Sequence, residues 1–276
     1  MELGISSLGF IIELGQSNKY KNVLDLLFDS IEACLNAAEL YNIKVVELVI
    51  DPPIILTGER KNEFVELLKP YKIKKQIHGP FIDINLCSHN DIILNASIKS
   101  YIEMAKICND INAKMMTIHP GLANFMISSI REYNKIQLKK AINQLLNFTS
   151  GYNLMICLEN MPKKADIMLD TADIEETFSI INRNDLYMTY DTSHFYTNDG
   201  NVGLLWKKFH KKIKNVHLVD NFTKDSDTHP PLGTGKINFN RIFEIIKSYD
   251  YKGPLIIEIS SFKYLQESIN FINKYL

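Results

Sequence analysis

The most informative residues of this chain are nine histidines and acids at or just after short apolar segments, between positions 78 and 258. Imidazole and carboxylate groups are the ligands expected for zinc or manganese, and nine far exceed what one tetrahedral ion needs. Burying so many such groups together without cations would carry heavy desolvation and repulsion costs. The residue types therefore predict a multinuclear metal site. Its candidate ligands are His78, His119, Glu159, Asp191, His194, His217, Asp227, His229 and Glu258.

The local spacing of these residues supports the same interpretation. Asp191 and His194 can bracket a tight turn, and Asp227-x-His229 places two ligands on one side of an extended segment. A carboxylate such as Glu159 can bridge two ions that lie roughly 3.5–4 Å apart. A single histidine of this kind is more often a hydrogen-bonded core or rim residue, so the prediction depends on the whole set.

Eight short β-rich segments alternate with longer helical ones and would position these side chains. Several of the segments are nearly continuous apolar runs, as expected for strands buried on both faces. Eight strand–helix repeats with right-handed crossovers close most simply into an α/β fold, a (β/α)8 TIM barrel, in one domain spanning residues 1–276. The predicted strands are Glu2–Ser6, Val45–Ile50, Ile73–His78, Lys114–His119, Leu154–Glu159, Leu186–Asp191, Ile213–Val219 and Pro254–Ile259.

Apolar residues at intervals of three and four predict the intervening helices. The clearest stretch contains Leu27, Ile31 and Leu35, and another helix is expected from about Ile92 with Asp91 as its N-cap. Further helices are predicted at Leu138–Phe148, Ile174–Ile181, Gly203–His210, Phe239–Tyr249 and after Phe262. A doubly wound open sheet is the competing architecture, but no G-x-G-x-x-G turn occurs in the chain.

The predicted barrel explains how distant residues could meet. All strands of a TIM barrel point their C-terminal ends at one face, where the active sites of such enzymes lie. The third to eighth predicted strands each carry one of the candidate ligands at or near this end. We therefore expect the nine side chains to converge on one mouth of the barrel.

The candidate ligands also form a recognisable pattern. It resembles the metal-binding pattern of the xylose isomerase-like TIM barrel superfamily, specifically its endonuclease IV branch, over about residues 73–260. The resemblance implies three zinc ions. It assigns one to His78, His119 and Glu159, a second to Glu159, Asp191, His217 and Glu258, and a third to His194, Asp227 and His229. The motifs that carry it are His78-Gly-Pro, His119-Pro-Gly, Glu159-Asn160, Asp191-x-x-His194, His217, Asp227-x-His229 and Glu258.

Two features depart from the endonuclease IV pattern. The stretches Gly9–Lys21 and Asp51–Asn62 lack the arginine- and aromatic-bearing loops that this branch inserts into abasic DNA, although Phe81-Ile82 follows His78 where an intercalating pair would be expected. The second predicted strand, with Glu47 at its centre, also resembles the sugar isomerase and epimerase branch. In that branch the second ligand group alone would hold one metal.

The resemblance implies a metal-dependent enzyme and leaves two mechanisms open. The first is hydrolysis of a phosphoester, either abasic-site DNA or a small sugar phosphate, with up to three Zn²⁺ ions or with Mn²⁺ or another divalent metal. The second is isomerisation or epimerisation of a sugar or sugar phosphate through an enediolate at one metal. Glu159 and Glu258 would position the nucleophile in the first and transfer a proton in the second. A metal-binding barrel without activity is a third interpretation.

Hydrolysis is the favoured mechanism because several histidines have a task only in a multinuclear site. One-metal chemistry leaves His78, His119 and the Asp227/His229 pair without an essential ligand role. Metal-assisted hydrolysis of a small phosphoester would also need no basic surface.

The composition sets bounds on partners and location. Lys and Arg total 31 against 32 Asp and Glu, a formal net charge of −1, which argues against extensive contact with a phosphate backbone. The four cysteines form no C-x-x-C pair and are expected to be buried, reduced thiols of a cytoplasmic protein. The first residues predict a strand rather than a signal peptide or membrane span, so no membrane contact is expected.

Overall fold

Eight parallel strands form a closed barrel in which each strand pairs with its neighbours in sequence order. This is the arrangement in the computed structural model, which describes residues 1–17 and 19–276; Asn18, inside one of the stretches compared above, lies outside them. The last strand pairs with the first, with Leu255 opposite Leu3, so the predicted TIM barrel is confirmed and the open sheet is excluded. The strands are β1 Glu2–Ser6, β2 Val45–Val49, β3 Lys74–His78, β4 Met115–Ile118, β5 Met155–Glu159, β6 Leu186–Asp191, β7 Ile213–Leu218 and β8 Pro254–Ile257.

Helices surround the barrel, and the described residues contain ten α-helices. Those predicted from apolar spacing are present with shifted ends, whereas α1, α3 and α7 were not predicted. None of the ten combines the length and apolar character needed to cross a bilayer. The helices are α1 Leu8–Gly15, α2 Val23–Leu40, α3 Gly58–Leu68, α4 Asp91–Asp110, α5 Ser128–Thr149, α6 Thr171–Ile181, α7 Thr192–Thr197, α8 Val202–Phe209, α9 Phe239–Ser248 and α10 Leu265–Asn273.

The predicted N-cap of α4 was wrong by one residue. Asn90 is the N-cap, and its side chain accepts a hydrogen bond from the backbone N–H of Ile92 at 2.9 Å. Asp91 lies in the first turn, where its carboxylate accepts from Gln137 and Lys140 of α5 instead. An acid beside an asparagine at a helix start offers two candidate caps, and tertiary contacts decided between them.

The apolar core lies between the outer faces of the strands and the helices. Outward-facing side chains such as Val46, Leu48 and Ile77 are completely buried and belong to the same apolar cluster as helix residues such as Leu35. The four cysteines are all buried and unpaired, as predicted. The outward-facing residues of this core account for the apolar character of the strands. The inward-facing residues do not contribute to it.

The barrel interior contains a hydrogen-bonded polar layer, here called the polar floor, consisting of Glu47, Gln76, Thr117, Thr189 and Asn215. Gln76 Nε2 and Asn215 Nδ2 donate to Glu47 Oε2 at 2.6 and 3.0 Å. The hydroxyl groups of Thr117 and Thr189 form a hydrogen bond of 2.9 Å. TIM barrel interiors are usually filled by bulky branched side chains, so this polar layer is a departure. It lies one inward-facing position below the strand-end residues of several strands.

Candidate metal centre

The structure brings all nine predicted ligands together at the C-terminal mouth of the barrel. Six stand at or next to strand ends, because the parallel strands all terminate at this face. His194 lies in α7, directly after β6, and the other two lie in the loop between β7 and α9. The two remaining histidines are elsewhere: His89 is exposed, and His210 stacks on Tyr249 with its ring 4.8 Å away.

The first group, here called the His119 triad, consists of His78, His119 and Glu159. Glu159 Oε2 lies 2.9 Å from Nε2 of His119 and 3.6 Å from Nε2 of His78. The other ring nitrogen of His78 lies 2.9 Å from the carbonyl oxygen of Gly79, which orients the ring toward Glu159. One carboxylate oxygen therefore faces two imidazole nitrogens.

The second group, here called the inner tetrad, consists of Glu159, Asp191, His217 and Glu258. Nδ1 of His217 lies 2.9 Å from Glu159 Oε1, 3.8 Å from Glu258 Oε2 and 3.9 Å from Asp191 Oδ2. All four side chains are at least nine-tenths buried. The two oxygens of Glu159 thus face different groups, which is the position a bridging carboxylate requires.

Buried polar atoms without hydrogen-bond partners indicate that the inner tetrad can bind a cation. Asp191 Oδ2 and Glu258 Oε2 are buried without a hydrogen-bond partner, and Nδ1 of His217 lies 2.9 Å from Glu159 Oε1 without the alignment of a hydrogen bond. Leaving a buried polar group unpaired is costly, so such groups are rare unless they bind something. Donors that converge at these spacings fit one small cation with ligand bonds of about 2.0–2.2 Å.

The third group, here called the Asp227 triad, consists of His194, Asp227 and His229. Oδ2 of Asp227 lies 3.0 Å from Nε2 of His194 and 3.0 Å from Nε2 of His229. Ser193 donates a hydrogen bond of 2.6 Å to the other carboxylate oxygen. The triad is joined to the inner tetrad, because Nδ1 of His229 lies 3.3 Å from Glu258 Oε1.

The charges of these buried groups depend on one another. Burial opposes the ionisation of Glu159, but His217 and the hydrogen bonds from His119 and His78 hold its pKa well below the usual range. Burial likewise opposes the protonation of His78, but the hydrogen bond and charge of Glu159 raise its pKa to about 9. Burial raises the pKa of Asp191 to about 7. Imidazolium groups thus supply positive charge that divalent cations would supply after displacing the protons.

Asn160 and Asp220 hold the ligand-bearing backbone in place. The side chain of Asn160 accepts from the backbone N–H of Asp191 and donates to its carbonyl, at 2.9 and 3.0 Å. Buried Asp220 accepts from the backbone N–H groups of Gly233 and Gly235 at 2.9 and 2.8 Å. The loop that carries Asp227 is therefore anchored to the end of β7, in part because Gly235 leaves room for the Asp220 carboxylate.

Glu47 was not predicted as a site residue. Its Oε1 lies 2.8 Å from Nε2 of His217, on the side of the ring opposite the inner tetrad, and both residues are completely buried. Despite burial, the charge of His217 lowers the pKa of Glu47. One signal in the sequence could have identified it, since an acid at the centre of an otherwise apolar strand requires a partner. Asp220 had no such signal, because acids are common after strands.

The mouth above the ligands is a cavity of about 220 Å³ with apolar side walls. Leu8, Val49, Phe81 and Met161 line it together with seven of the candidate ligands. The Phe81 ring packs edge-on against His78, with centroids 5.3 Å apart. The cavity is large enough for a small substrate group to approach the ligand atoms directly.

The chain belongs to the xylose isomerase-like TIM barrel family, whose family model matches residues 28–275. An uncharacterized protein of Methanocaldococcus jannaschii is 30% identical over 205 residues, which cover 74% of this chain and 77% of that protein. A probable endonuclease 4 of Thermosipho africanus is 31% identical over 195 residues, which cover 63% of this chain and 66% of that protein.

Solved structures share the fold. A D-tagatose 3-epimerase-like protein superposes with a TM-score of 0.82 at 22% identity, covering 100% of this chain and 97% of that chain. The family resemblance inferred from the ligand pattern is thus confirmed by the family model, and the likeness to the epimerase-like structure shows the shared fold.

Proposed function

We propose that this protein is a phosphoester hydrolase with a trinuclear zinc site. The proposal rests on the geometry of the Asp227 triad, in which two imidazoles converge on one carboxylate oxygen at 3.0 Å each. A single-metal isomerase has no ligand role for these residues. A site that holds three ions gives each of the nine convergent side chains a task. The similarity to a probable endonuclease 4 supports the same assignment.

The ions would be held by the His119 triad, the inner tetrad and the Asp227 triad, with Glu159 shared by the first two. Divalent zinc supplies Lewis acidity to a phosphoryl group and makes water an effective nucleophile near neutral pH. Glu159 and Glu258 border the space above His217 and would orient the attacking water by accepting hydrogen bonds from it, and one of the two carboxylates would take up a single proton as the water attacks. Water oxygen then forms the new bond to phosphorus, the bond to the ester oxygen breaks, and the leaving alkoxide takes up a proton.

The second candidate is a metal-dependent sugar isomerase or epimerase, and the inner tetrad favours it. Glu159 and Glu258 approach the same nitrogen of His217 from separate strands, at 2.9 and 3.8 Å, so they could flank a sugar. One carboxylate would remove a proton beside a carbonyl and the other would return it. The likeness to a D-tagatose 3-epimerase-like structure fits this chemistry, although at 22% identity it supports the fold alone.

Metal content and two activities separate the candidates. For zinc-loaded protein we expect about three ions per chain and hydrolysis of an abasic-site oligonucleotide or of a simple aryl phosphodiester. Asp227→Asn should lower the ion content by about one and hydrolysis by about 100-fold or more, since loss of even an indirect partner of a metal ligand costs 10–100-fold. His89→Gln, an exposed histidine outside the site, is the matched control.

The opposite results would favour the second candidate. Fully metallated protein that cleaves neither phosphoester contradicts the hydrolase proposal. A single bound ion, with ketose epimerisation that Asp227→Asn leaves intact, would assign the protein to the isomerase branch.

A further inference from the structure

A second cavity, here called the apolar recess, opens beside the Asp227 triad. Its volume is about 420 Å³, and it shares Phe81, Asp227 and His229 with the cavity above the ligands. The two cavities are therefore adjacent and border the same outer ligands. Its apolar wall consists of Leu8, Ile11, Ile12, Val49, Phe81 and Ile82.

The wall of the recess is held in place by polar contacts, one of them from Asp51, which also lines the recess. Asp51 accepts hydrogen bonds from the backbone N–H groups of Phe81 and Ile82 at 3.0 and 2.8 Å. On the other side, α1 is fixed because Ser7 Oγ accepts from Val49 N at 2.9 Å and Phe10 stacks on Phe262 at 4.8 Å. These contacts fix the backbone that carries the apolar wall at Phe81, Ile82 and the start of α1.

The recess has the chemical character of a site for an apolar group. Ile82 is 60% exposed although it adjoins the mouth, and Ile12 faces the same space. Among the described residues that line the recess, none is a lysine or an arginine, so no cationic side chain there would recognise a second phosphate. A largely apolar cavity of this size is typical of small-molecule sites.

We propose that the apolar recess binds the aryl or alkyl group of a phosphoester whose phosphoryl group lies at the ligand cluster. The inference rests on the proposed hydrolase function and specifies its substrate class. The ester oxygen would lie near the Asp227 triad, because Asp227 and His229 border both cavities. A free sugar phosphate would leave this wall without a partner, because hydroxyl groups gain nothing from an apolar surface.

Binding of two phosphonates that cannot be hydrolysed tests the proposal without relying on activity. Benzylphosphonate and methylphosphonate carry the same anionic group, so they differ in the ring that would occupy the recess. Burial of an aromatic ring is expected to strengthen binding of benzylphosphonate to the zinc-loaded protein by about ten- to hundredfold over methylphosphonate. Isothermal titration calorimetry measures both affinities.

Two variants localise the effect. The double variant Ile12→Ser/Ile82→Ser changes two wall residues outside the packed core and should reduce the benzyl preference to about twofold, with methylphosphonate binding unchanged. Ile92→Ser, an exposed isoleucine outside the recess, should behave like the unaltered protein. Equal binding of the two phosphonates, or a preference that persists in the double variant, would overturn the recess assignment and leave the hydrolase proposal standing. Failure of both to bind zinc-loaded protein would instead contradict the hydrolase proposal, and the recess assignment with it.

Discussion

Glu47 of the polar floor and His217 form a completely buried pair of charged groups directly below the mouth. The ring of His217 lies between Glu47 on its Nε2 side and the inner tetrad on its Nδ1 side. A carboxylate that accepts from the distal nitrogen of a metal-binding histidine fixes its tautomer and raises its basicity. With a cation at the inner tetrad, a proton on Nε2 facing Glu47 would leave the lone pair of Nδ1 directed toward Glu159, Asp191 and Glu258.

We expect Glu47→Gln to weaken zinc binding at the inner tetrad by about 10–100-fold, because the amide keeps the volume but loses the charge beside His217. Competition with a calibrated chelator measures the affinity, and circular dichroism checks the fold. Glu103→Gln, which changes an acid on α4 paired with Lys106, is the matched control. Lower thermal stability with unchanged zinc affinity would mean that Glu47 has a structural role only.

At the residue level, the sequence was sufficient to identify the imidazole and carboxylate side chains that can bind metal. The nine candidate ligands were found because their residue types, and their positions after apolar segments, can be recognised in the sequence without knowledge of the fold. Glu47 was noticed only as part of a strand motif, because its contact with His217 spans the barrel between β2 and β7. Asp220 was missed because its four backbone donors belong to a loop whose conformation no local pattern specifies.

The loop between β7 and α9 is the element that completes the candidate site. It brings Asp227 and His229 to the mouth, and Asp220 anchors it through backbone N–H groups at both of its ends. Gly235 lies against this anchor, and a Cβ there would lie 2.2 Å from Asp220 Oδ1 and 2.5 Å from the carbonyl oxygen of Asn221. The loop can adopt this conformation only with glycine at that position.

Gly235→Ala should therefore displace the loop while the barrel stays folded. We expect zinc content to fall by about one ion per chain, with the inner tetrad still loaded, because its donors lie on strand ends outside the loop. Gly151→Ala is the control, since a Cβ there would contact no atom within 4 Å. Elemental analysis with circular dichroism provides the readout. Unchanged ion content in a folded Gly235→Ala protein would show that the loop does not hold the third ion.

Helix prediction failed where a helix lacks an amphipathic pattern. The segment of α1 is apolar on nearly all sides, because one face packs on Phe262 and another lines the apolar recess. The segment of α3 is mostly polar and buries only Phe64 and Leu68. Spacing of apolar residues reports a helix with one buried and one solvated face, so neither of these was detectable.

The barrel as a whole was predictable because the strand–helix pattern repeats eight times along the sequence. Closure itself is confirmed by the pairing of β1 with β8. The polar floor was not predictable, because the outward-facing residues alone make the strands look apolar. Which face of a strand points into a barrel is decided by packing against helices far away in sequence.

The ionisation of the whole mouth makes the stability of the metal-free protein depend on pH. His78 has a pKa near 6.5 when unfolded and about 9 when folded, so its stabilisation is complete below pH 6.5 and is lost as the pH rises through 9. The raised pKa values of His194 and His217 act in the same direction. We therefore expect the free energy of unfolding in chelator to fall by a few kcal/mol from pH 6 to pH 9.

Urea unfolding at the two pH values, with and without zinc, measures this dependence. The zinc-loaded protein should show the opposite trend, because metal binds the deprotonated imidazoles. His78→Gln should reduce the pH dependence of the metal-free protein. A metal-free protein that is as stable at pH 9 as at pH 6 would contradict the assignment of charge to these histidines.

The three donor groups differ in depth, and this difference would impose an order on metal loss. Side chains of the inner tetrad are 0–6% exposed, whereas those of the Asp227 triad reach 25%. On the proposed assignment, the ion held by the Asp227 triad would exchange first when zinc becomes scarce. The ion held by the inner tetrad would be lost last. A starved molecule would then carry the donor set of a single-ion isomerase. The supply of zinc, rather than a change in sequence, would decide which of two chemistries the same barrel presents.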